Sequence, residues 1–323
     1  MTKRTGQAKG KVRRGPDGKR HMSLHTRMMW NKYLPIWLMM IPVFAFFFVF
    51  KVLPMYGIQM AFKDFNLMKG IADSPWVGLK HFKRLFNDPY FYRIFKNTIK
   101  ISLLSLCACI PAEITLALLI NELRSSIYKR IVQTISYLPH FISWVIAGGI
   151  FTLLLSTQNG AINKIIEFFG GKAIFFLGDA DYFVGTLIVT RVWKSVGWGT
   201  IIYLAAIAGI NQELYESAMI DGANRFQRIW YITLPALVPT IVMLTIMALA
   251  GVLSAGFDQI YNLYNQAVYS VADVIDTYVY RQGFENASFS YSTAVGLFNS
   301  VVSFILVITA NWLSKRFVKY SMW

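Results

Sequence analysis

Groups that do covalent or metal chemistry are scarce in this chain. Among 323 residues there are two cysteines, four histidines and sixteen acidic side chains. Cys107 and Cys109 sit two apart in an apolar run. On a helix they point to different faces and cannot close a disulfide. No CxxC, HExxH or GxSxG occurs, and no GxxxxGK followed by Ser or Thr, so zinc, serine-nucleophile and phosphate-cradling sites have no motif to rest on. No cluster of His with Cys or carboxylates falls at ligand spacing. The expectation is a chain with no catalytic residue, no metal and no cofactor of its own.

Charge is also sparse, at 15% of residues, while 55% are hydrophobic and the mean hydropathy is +0.45. Few soluble domains are that apolar, and the length accommodates several spans of about 20 residues. A net charge of +16 raises the question of nucleic acid. Position answers it: ten basic residues precede Tyr33, and others flank apolar runs. Positive charge beside spans favours cytoplasmic retention and anionic lipid headgroups. Nucleic acid is therefore not an expected partner, and membrane lipid is.

The pattern predicts an all-α, polytopic helical bundle with six transmembrane helices. Residues 1–32 read as a basic cytoplasmic tail, 33–314 as the membrane domain and 315–323 as a second cytoplasmic tail. The spans are predicted at 33–57, 98–121, 132–155, 183–210, 240–261 and 293–313. Aromatic and basic residues alternate over 78–96, which predicts an amphipathic helix lying in the interface before the second span. The positive-inside rule favours both termini in the cytoplasm, although seven basic residues in the first external loop work against it.

Between the fourth and fifth spans the chain turns polar. Glu213, Glu216 and Ala218 precede Asp221, Gly222 and Ala223, and Leu234 and Pro235 follow. Gly222 reads as the end of a short helix, where a residue without a Cβ turns the chain. Arg225 to Tyr231 reads as a second short helix, stopped by Pro235. The offsets from Glu216 through Ala218 and Gly222 to Ile232, Leu234 and Pro235 resemble the coupling loop of ABC importer permeases, with Ser217 in place of an alanine. The chain is identified as a member of that class, which implies the type I permease fold. The resemblance also implies that the 211–239 loop docks on an ATPase subunit, with Phe226, Ile229 and Trp230 filling its groove. It implies two separate ATPase subunits that bind ATP with Mg, a second homologous permease and an extracytoplasmic solute-binding protein. Localisation would be the prokaryotic inner membrane.

Further stretches narrow the class. Those from Trp193 to Trp198, Leu204 to Ala206 and Asp221 to Ala223 are similar to carbohydrate importers. Within that class, the stretches from Leu138 to Trp144 and from Asp273 to Tyr280 resemble the branch that takes up oligosaccharides from plant or algal polysaccharides, alginate among them. The implied substrate is an oligosaccharide, with uronate-containing chains as one option.

Candidate path residues follow from cost. Arg191, Lys194, Ser195 and Trp198 stand at i, i+3, i+4 and i+7, on one helical face. A cation near the bilayer centre costs about 2.5–3.5 kcal/mol, so this face turns to protein or water. One reading is a solute path, since indole suits sugar faces and polar groups suit sugar oxygens. The other has Arg191 snorkelling or paired with Glu113 or Asp258. Glu113, the lone acid of the second span, reads as a path residue or a paired carboxylate. Asp258, Gln259 and Tyr261 read as an outer mouth, a contact for the binding protein or an interfacial anchor. Asn299 reads as a helix-to-helix hydrogen bond, and His140 as a packing residue. Two rivals remain at this level: an importer for an amino acid or an anion, and a six-span sensor or enzyme.

Overall fold

A computed structural model of the chain describes residues 24–317, with side chains described from Lys32 to Arg316. The basic tail before Leu24 and the residues after Phe317 lie outside the described residues. Among those described there is no strand, only two isolated bridges, Lys63 with Trp76 and Asn66 with Gly70. Four helical segments are long and apolar enough to cross a membrane, or six if each of two bent pairs is one span.

The chain divides into two units at residue 59. The first contains helix α1 (Leu24–Phe47), which passes into a π turn (Phe48–Val52) and then a 3-10 stretch from Leu53. Its side chains from Tyr33 to Tyr56 are largely exposed, as expected for an element whose solvent is lipid.

The second unit begins with the end of the 3-10 stretch and a connection holding a one-turn helix (Gly70–Asp73), then α2 (Lys80–Asn87) and α3 (Pro89–Glu122). The interfacial helix predicted over 78–96 is thus two elements. Asp88 is extended and accepts a hydrogen bond from the Tyr90 amide at 2.9 Å, and Pro89 needs no amide partner at the first helical position. The second span consequently starts nine residues earlier than hydropathy marks it. Leu85, Phe91 and Ile94 do not face lipid. They are buried against Ile275, Tyr278, Tyr291 and Val295.

The third span is bent. Helices α4 (Ser126–Tyr137) and α5 (Trp144–Leu154) meet at 103°. Pro139 lies in the 3-10 turn between them, Ile142 is extended, and Ser143 caps α5 by accepting from the Ile146 amide. A short helix α6 (Ala161–Phe168) follows, tied down by buried Asn163, which exchanges hydrogen bonds with Ile174 at 2.8 and 3.0 Å. The fourth span, α7 (Ala180–Ala208), packs along α3. Gly197 permits a close approach: a Cβ there would lie 1.9 Å from the Ser136 carbonyl oxygen of α4.

After α8 (Gln212–Ile220), a turn at Arg225–Arg228 and a π turn at Ile229–Thr233 run without a break into α9 (Leu234–Ala250). Pro235 therefore does not stop a helix. It sits in the first turn of α9, and the widened π turn before it reorganises the backbone pairing that the proline ring would disturb, with the Leu234 amide reaching the Ile229 carbonyl. The fifth span accordingly begins earlier than predicted and stops at Ala250. The chain then breaks through Gly251, with Ala255 and Gly256 both left-handed (φ +48° and +80°), before α10 (Phe257–Leu263). Helix α11 (Ile275–Tyr280) and a π turn (Arg281–Glu285) lead to the last span, α12 (Phe289–Phe317). A core of Ile101, Phe183, Leu187, Ala255, Ile260 and Val274 binds α3, α7 and α10 together. Side chains such as Val189, Met247 and Phe304 stay exposed, forming an apolar exterior.

Candidate functional site: a cavity between helices and an apolar-tipped knob

A cavity of about 330 Å³ lies among α3, α7, α9 and the 251–256 break. Ser105, Cys109 and Glu113 line it from α3 at steps of four, and Arg191, Ser195, Gly199 and Tyr203 line it from α7 at the same step. Ala248, Gly251 and Gly256 complete the wall. Gly199 leaves room for the Glu113 carboxyl: a Cβ would fall 2.1 Å from its carboxyl carbon, and the side chain would have to swing aside.

Arg191 does not pair with a carboxylate. Its guanidinium donates to Gln259 Oε1 at 2.7 Å, to Ser105 Oγ at 2.9 Å and to the Ala255 carbonyl. It thus bonds a carbonyl that the left-handed break removes from helical pairing. Ser102 does the same for the Val252 carbonyl. Gln259 is fully buried, and its Nε2 donates to Leu187 O and Thr190 Oγ1 at 2.7 and 2.8 Å. Gln259 is therefore a crosslink between α10 and α7. Asp258 is exposed and reaches neither Arg191 nor the cavity wall.

The face read as one stripe serves two neighbours. Arg191 and Ser195 face the cavity. Lys194 instead donates to the carbonyls of Pro139 and His140, at 3.3 and 2.8 Å, and lies over the Trp144 ring. Trp198 stacks on His140 with centroids 4.4 Å apart. A set at i, i+3, i+4 and i+7 covers a stripe more than 100° wide, enough to touch both the cavity and the α4–α5 elbow. Gly199 and Tyr203 were missed in the sequence, although they continue the step of four from Arg191 through Ser195.

Two polar groups remain open to the cavity. No salt bridge reaches Glu113 among the described residues. The Tyr203 hydroxyl is buried with no hydrogen-bond partner. Asn299 lies elsewhere: its amide donates to Asp276 Oδ1 at 3.3 Å, and its own oxygen is buried and unpartnered. Burial pushes the Asp276 carboxyl up to about 6.

The second feature is the knob between α7 and α9. Asn211 caps α8 by accepting from the Glu213 amide at 3.0 Å. At the other end Ala223 N donates to Ala218 O (2.8 Å) and Gly222 N to Met219 O (3.1 Å), the paired bonds of a Schellman turn, with Gly222 at φ +80°. Asn224 and Gln227 then form a reciprocal capping box. Glu213, Glu216 and Asp221 are exposed, and Ala218, Ala223, Ile229 and Leu234 are half-buried. Ile220, Phe226, Trp230 and Tyr231 are 67–87% exposed, and large apolar side chains left uncovered on a polar connection suit contact with a partner. Ile220 and Tyr231 were not singled out from sequence. Tyr215 bonds Thr233 in the π turn just before α9 at 2.9 Å, and Arg225 lies 3.8 Å from Glu122 of α3, which ties the knob to α3.

The model of the family "Binding-protein-dependent transport system inner membrane component" matches residues 109–319, and the chain belongs to that family. It is an ABC transporter permease of the all-α type I fold. Among its relatives, Protein LplB of Bacillus subtilis (strain 168) is 46% identical over 282 residues, covering 87% of this chain and 89% of LplB. The polygalacturonan/rhamnogalacturonan transport system permease protein YteP of the same organism is 46% identical over 294 residues, covering 91% of each chain. A chain in the crystal structure of a bacterial alginate ABC transporter in complex with alginate pentasaccharide-bound periplasmic protein is 41% identical, with a TM-score of 0.83, covering 91% of this chain and 99% of that one.

Proposed function

We propose that this chain is the membrane-spanning subunit of an ATP-driven oligosaccharide importer fed by an extracytoplasmic binding protein. The observation that carries the reading is mechanical. The knob's apolar tip is continuous, through an unbroken helical path, with α9, whose Leu244 and Ala248 line the cavity. Both ends of α8 and the start of the next turn are capped, so the knob moves as a stiff body. A partner that grips Ile220, Phe226 and Trp230 therefore moves the cavity wall. In this reading the partner is an ATPase subunit, one of two. ATP with Mg is bound there and not in this chain, and a second homologous permease completes the pore. The knob and both termini face the cytoplasm of a prokaryotic inner membrane, and residues 33–314 form the membrane domain between the two tails.

The cavity is the solute path, with Glu113, Ser195 and Tyr203 as the groups that meet sugar hydroxyls. Arg191 shapes the wall by holding the break. The relatives' substrates favour a second reading, in which the sugar carries carboxylates. Arg191 and Lys194 already donate to protein acceptors, so uronates would be met by other cations. Cysteine labelling tests the orientation: a probe at Gly222 modified from outside intact cells overturns the proposal. Uptake by proteoliposomes holding both permeases, the ATPases and the liganded binding protein tests the cargo. Uptake of amino acids in place of saccharides would overturn it.

A further inference from the structure

Glu122 and Arg225 each sit at the wrong end of a helix. Glu122 is the last residue of α3, where no basic residue stands in the final turn. Arg225 and Arg228 lie in the first turn of the helical path that runs to Ala250. A helix carries partial negative charge at its C-terminus and partial positive charge at its N-terminus. Each helix therefore disfavours the charged residue at its own end, and the two ends suit each other. Arg225 lies 3.8 Å from Glu122, near the outer limit of an ion pair. Arg228 has a buried Nε with no hydrogen-bond partner. With Glu122, Asn121 and Tyr215 it lines a second cavity, of about 280 Å³, at the root of the knob. One carboxylate thus has two guanidinium groups beside it, and among the described residues the second is in no ion pair.

These charges join the knob to a wall that its own helix does not reach. Through α9 the knob carries Leu244 and Ala248 of the solute cavity, but Ser105, Cys109 and Glu113 belong to α3. Ala117 of α3 packs with Leu237 of α9 and with Tyr203 and Ile207 of α7. Apolar contact of this kind is non-directional, so it holds helices together without fixing how far one slides along another. The Glu122 carboxylate is a fixed point on α3, about 14 Å along the helix from Glu113. The pair is open to water, with side chains 52% and 37% exposed, and adds little to stability. Its removal therefore leaves the fold intact and isolates the linkage.

We propose that Glu122 is a positioning residue of the transport cycle, engaged by Arg225 in this conformation and by Arg228 when the knob is displaced, so that α3 and its Glu113 follow α9 when the ATPase moves the knob. This rests on the ATP-driven reading above and adds to it a second line from knob to cavity, which the continuous helix does not provide. The two arginines stand one turn apart on the same path, so a shift of the knob along α3 exchanges one for the other without releasing the carboxylate.

The test uses the complete transporter in proteoliposomes and reads saccharide imported and ATP hydrolysed in the same sample. With Glu122→Gln, saccharide imported per ATP falls about fivefold, while copurification of the ATPase and the melting midpoint of the complex stay as in wild type. Glu122→Arg lowers the ratio further, because it places a third cation beside Arg225 and Arg228. Adding Arg225→Glu to that chain reverses the pair and restores most of the ratio. Arg225→Gln with Arg228→Gln falls as far as Glu122→Gln, and either change alone falls less. In wild type the ratio declines as ionic strength rises, and in Glu122→Gln it does not. A full ratio in Glu122→Gln, no rescue by the exchanged charges, or loss of the ATPase from the Glu122→Gln complex overturns the linkage. A wild-type complex whose ATP hydrolysis imports no saccharide overturns the functional reading instead, so the two failures are distinct.

Discussion

The knob and the cavity handle backbone polarity in opposite ways. In the knob, from Asn211 to Gln227, backbone groups at the helix ends are satisfied by residues within five positions, and the apolar side chains are left pointing outward. Around the cavity, the Val252 and Ala255 carbonyls of the 251–256 break are met from α3 and α7, by Ser102 and Arg191, while those of Gly251 and Gly256 are met locally. At the α4–α5 elbow the His140 carbonyl is met by Lys194 of α7, which shares the Pro139 carbonyl with the Ile142 amide. Local capping makes a part that can be pushed without deforming. Long-range capping makes helix breaks whose position depends on neighbouring helices, which is a sensible property for a wall that has to change shape.

The largest effect expected from breaking this contrast is at Gly222. Its φ of +80° is inaccessible to proline, which is held near −65°. Gly222→Pro should unmake the Schellman turn and abolish copurification of the ATPase and uptake together. Gly222→Ala should weaken copurification only in part, by about 1 kcal/mol of left-handed strain. The next effect is at Arg191. Arg191→Met leaves the Ala255 carbonyl and Gln259 Oε1 without their donor. The thermal midpoint of the detergent-solubilised chain should fall by roughly 8 °C, from about 3 kcal/mol of unpaired acceptors. ATPase binding should survive, because the knob is untouched; its loss would mean the two regions are not separable.

A sharper comparison comes from Gly199→Ala, whose Cβ would collide with the Glu113 carboxyl. Uptake should drop about tenfold as the carboxyl is displaced, with about 1 kcal/mol of overpacking, and Glu113→Ala in the same chain should relieve the clash as a recovered melting midpoint, though not as recovered uptake, since Glu113 itself meets the sugar. No relief would mean that Glu113 does not hold its place in the wall. The smallest effect is at Asp276, whose folded-state value near 6 lies above the ordinary carboxylate value of about 3.9 because of burial. The stability it contributes is full below about 4 and is lost as pH rises through about 6. Asp276→Asn should therefore raise the melting midpoint at pH 8, by about 2 °C, and remove part of the rise seen on acidification.

The knob was legible because its logic is local. Glu216, Gly222 and Pro235 occur at fixed offsets, and a left-handed glycine or a capping box depends on a few adjacent residues. Even there, Pro235 was misread as a stop, since a π turn upstream is set by how the whole helix seats and not by the proline. The break at Gly251 to Gly256 was not legible. Val252, Leu253 and Ala255 look like continued span in any hydropathy window, and only packing on Ser102 and Arg191 makes leaving the helix affordable. Likewise Lys194 and Arg191 look alike on a helical wheel. The identity of the neighbour separated them.

By itself the sequence determined that the chain is a helical membrane protein, where its apolar runs fall, and that a capped polar knob interrupts them, because composition and short-range offsets act through local backbone preferences and transfer from water. Tertiary structure alone decided where the spans bend or stop and which polar groups remain free. A buried cation or carbonyl takes whatever partner lies within about 3 Å, and that distance is set between helices that are far apart in the chain.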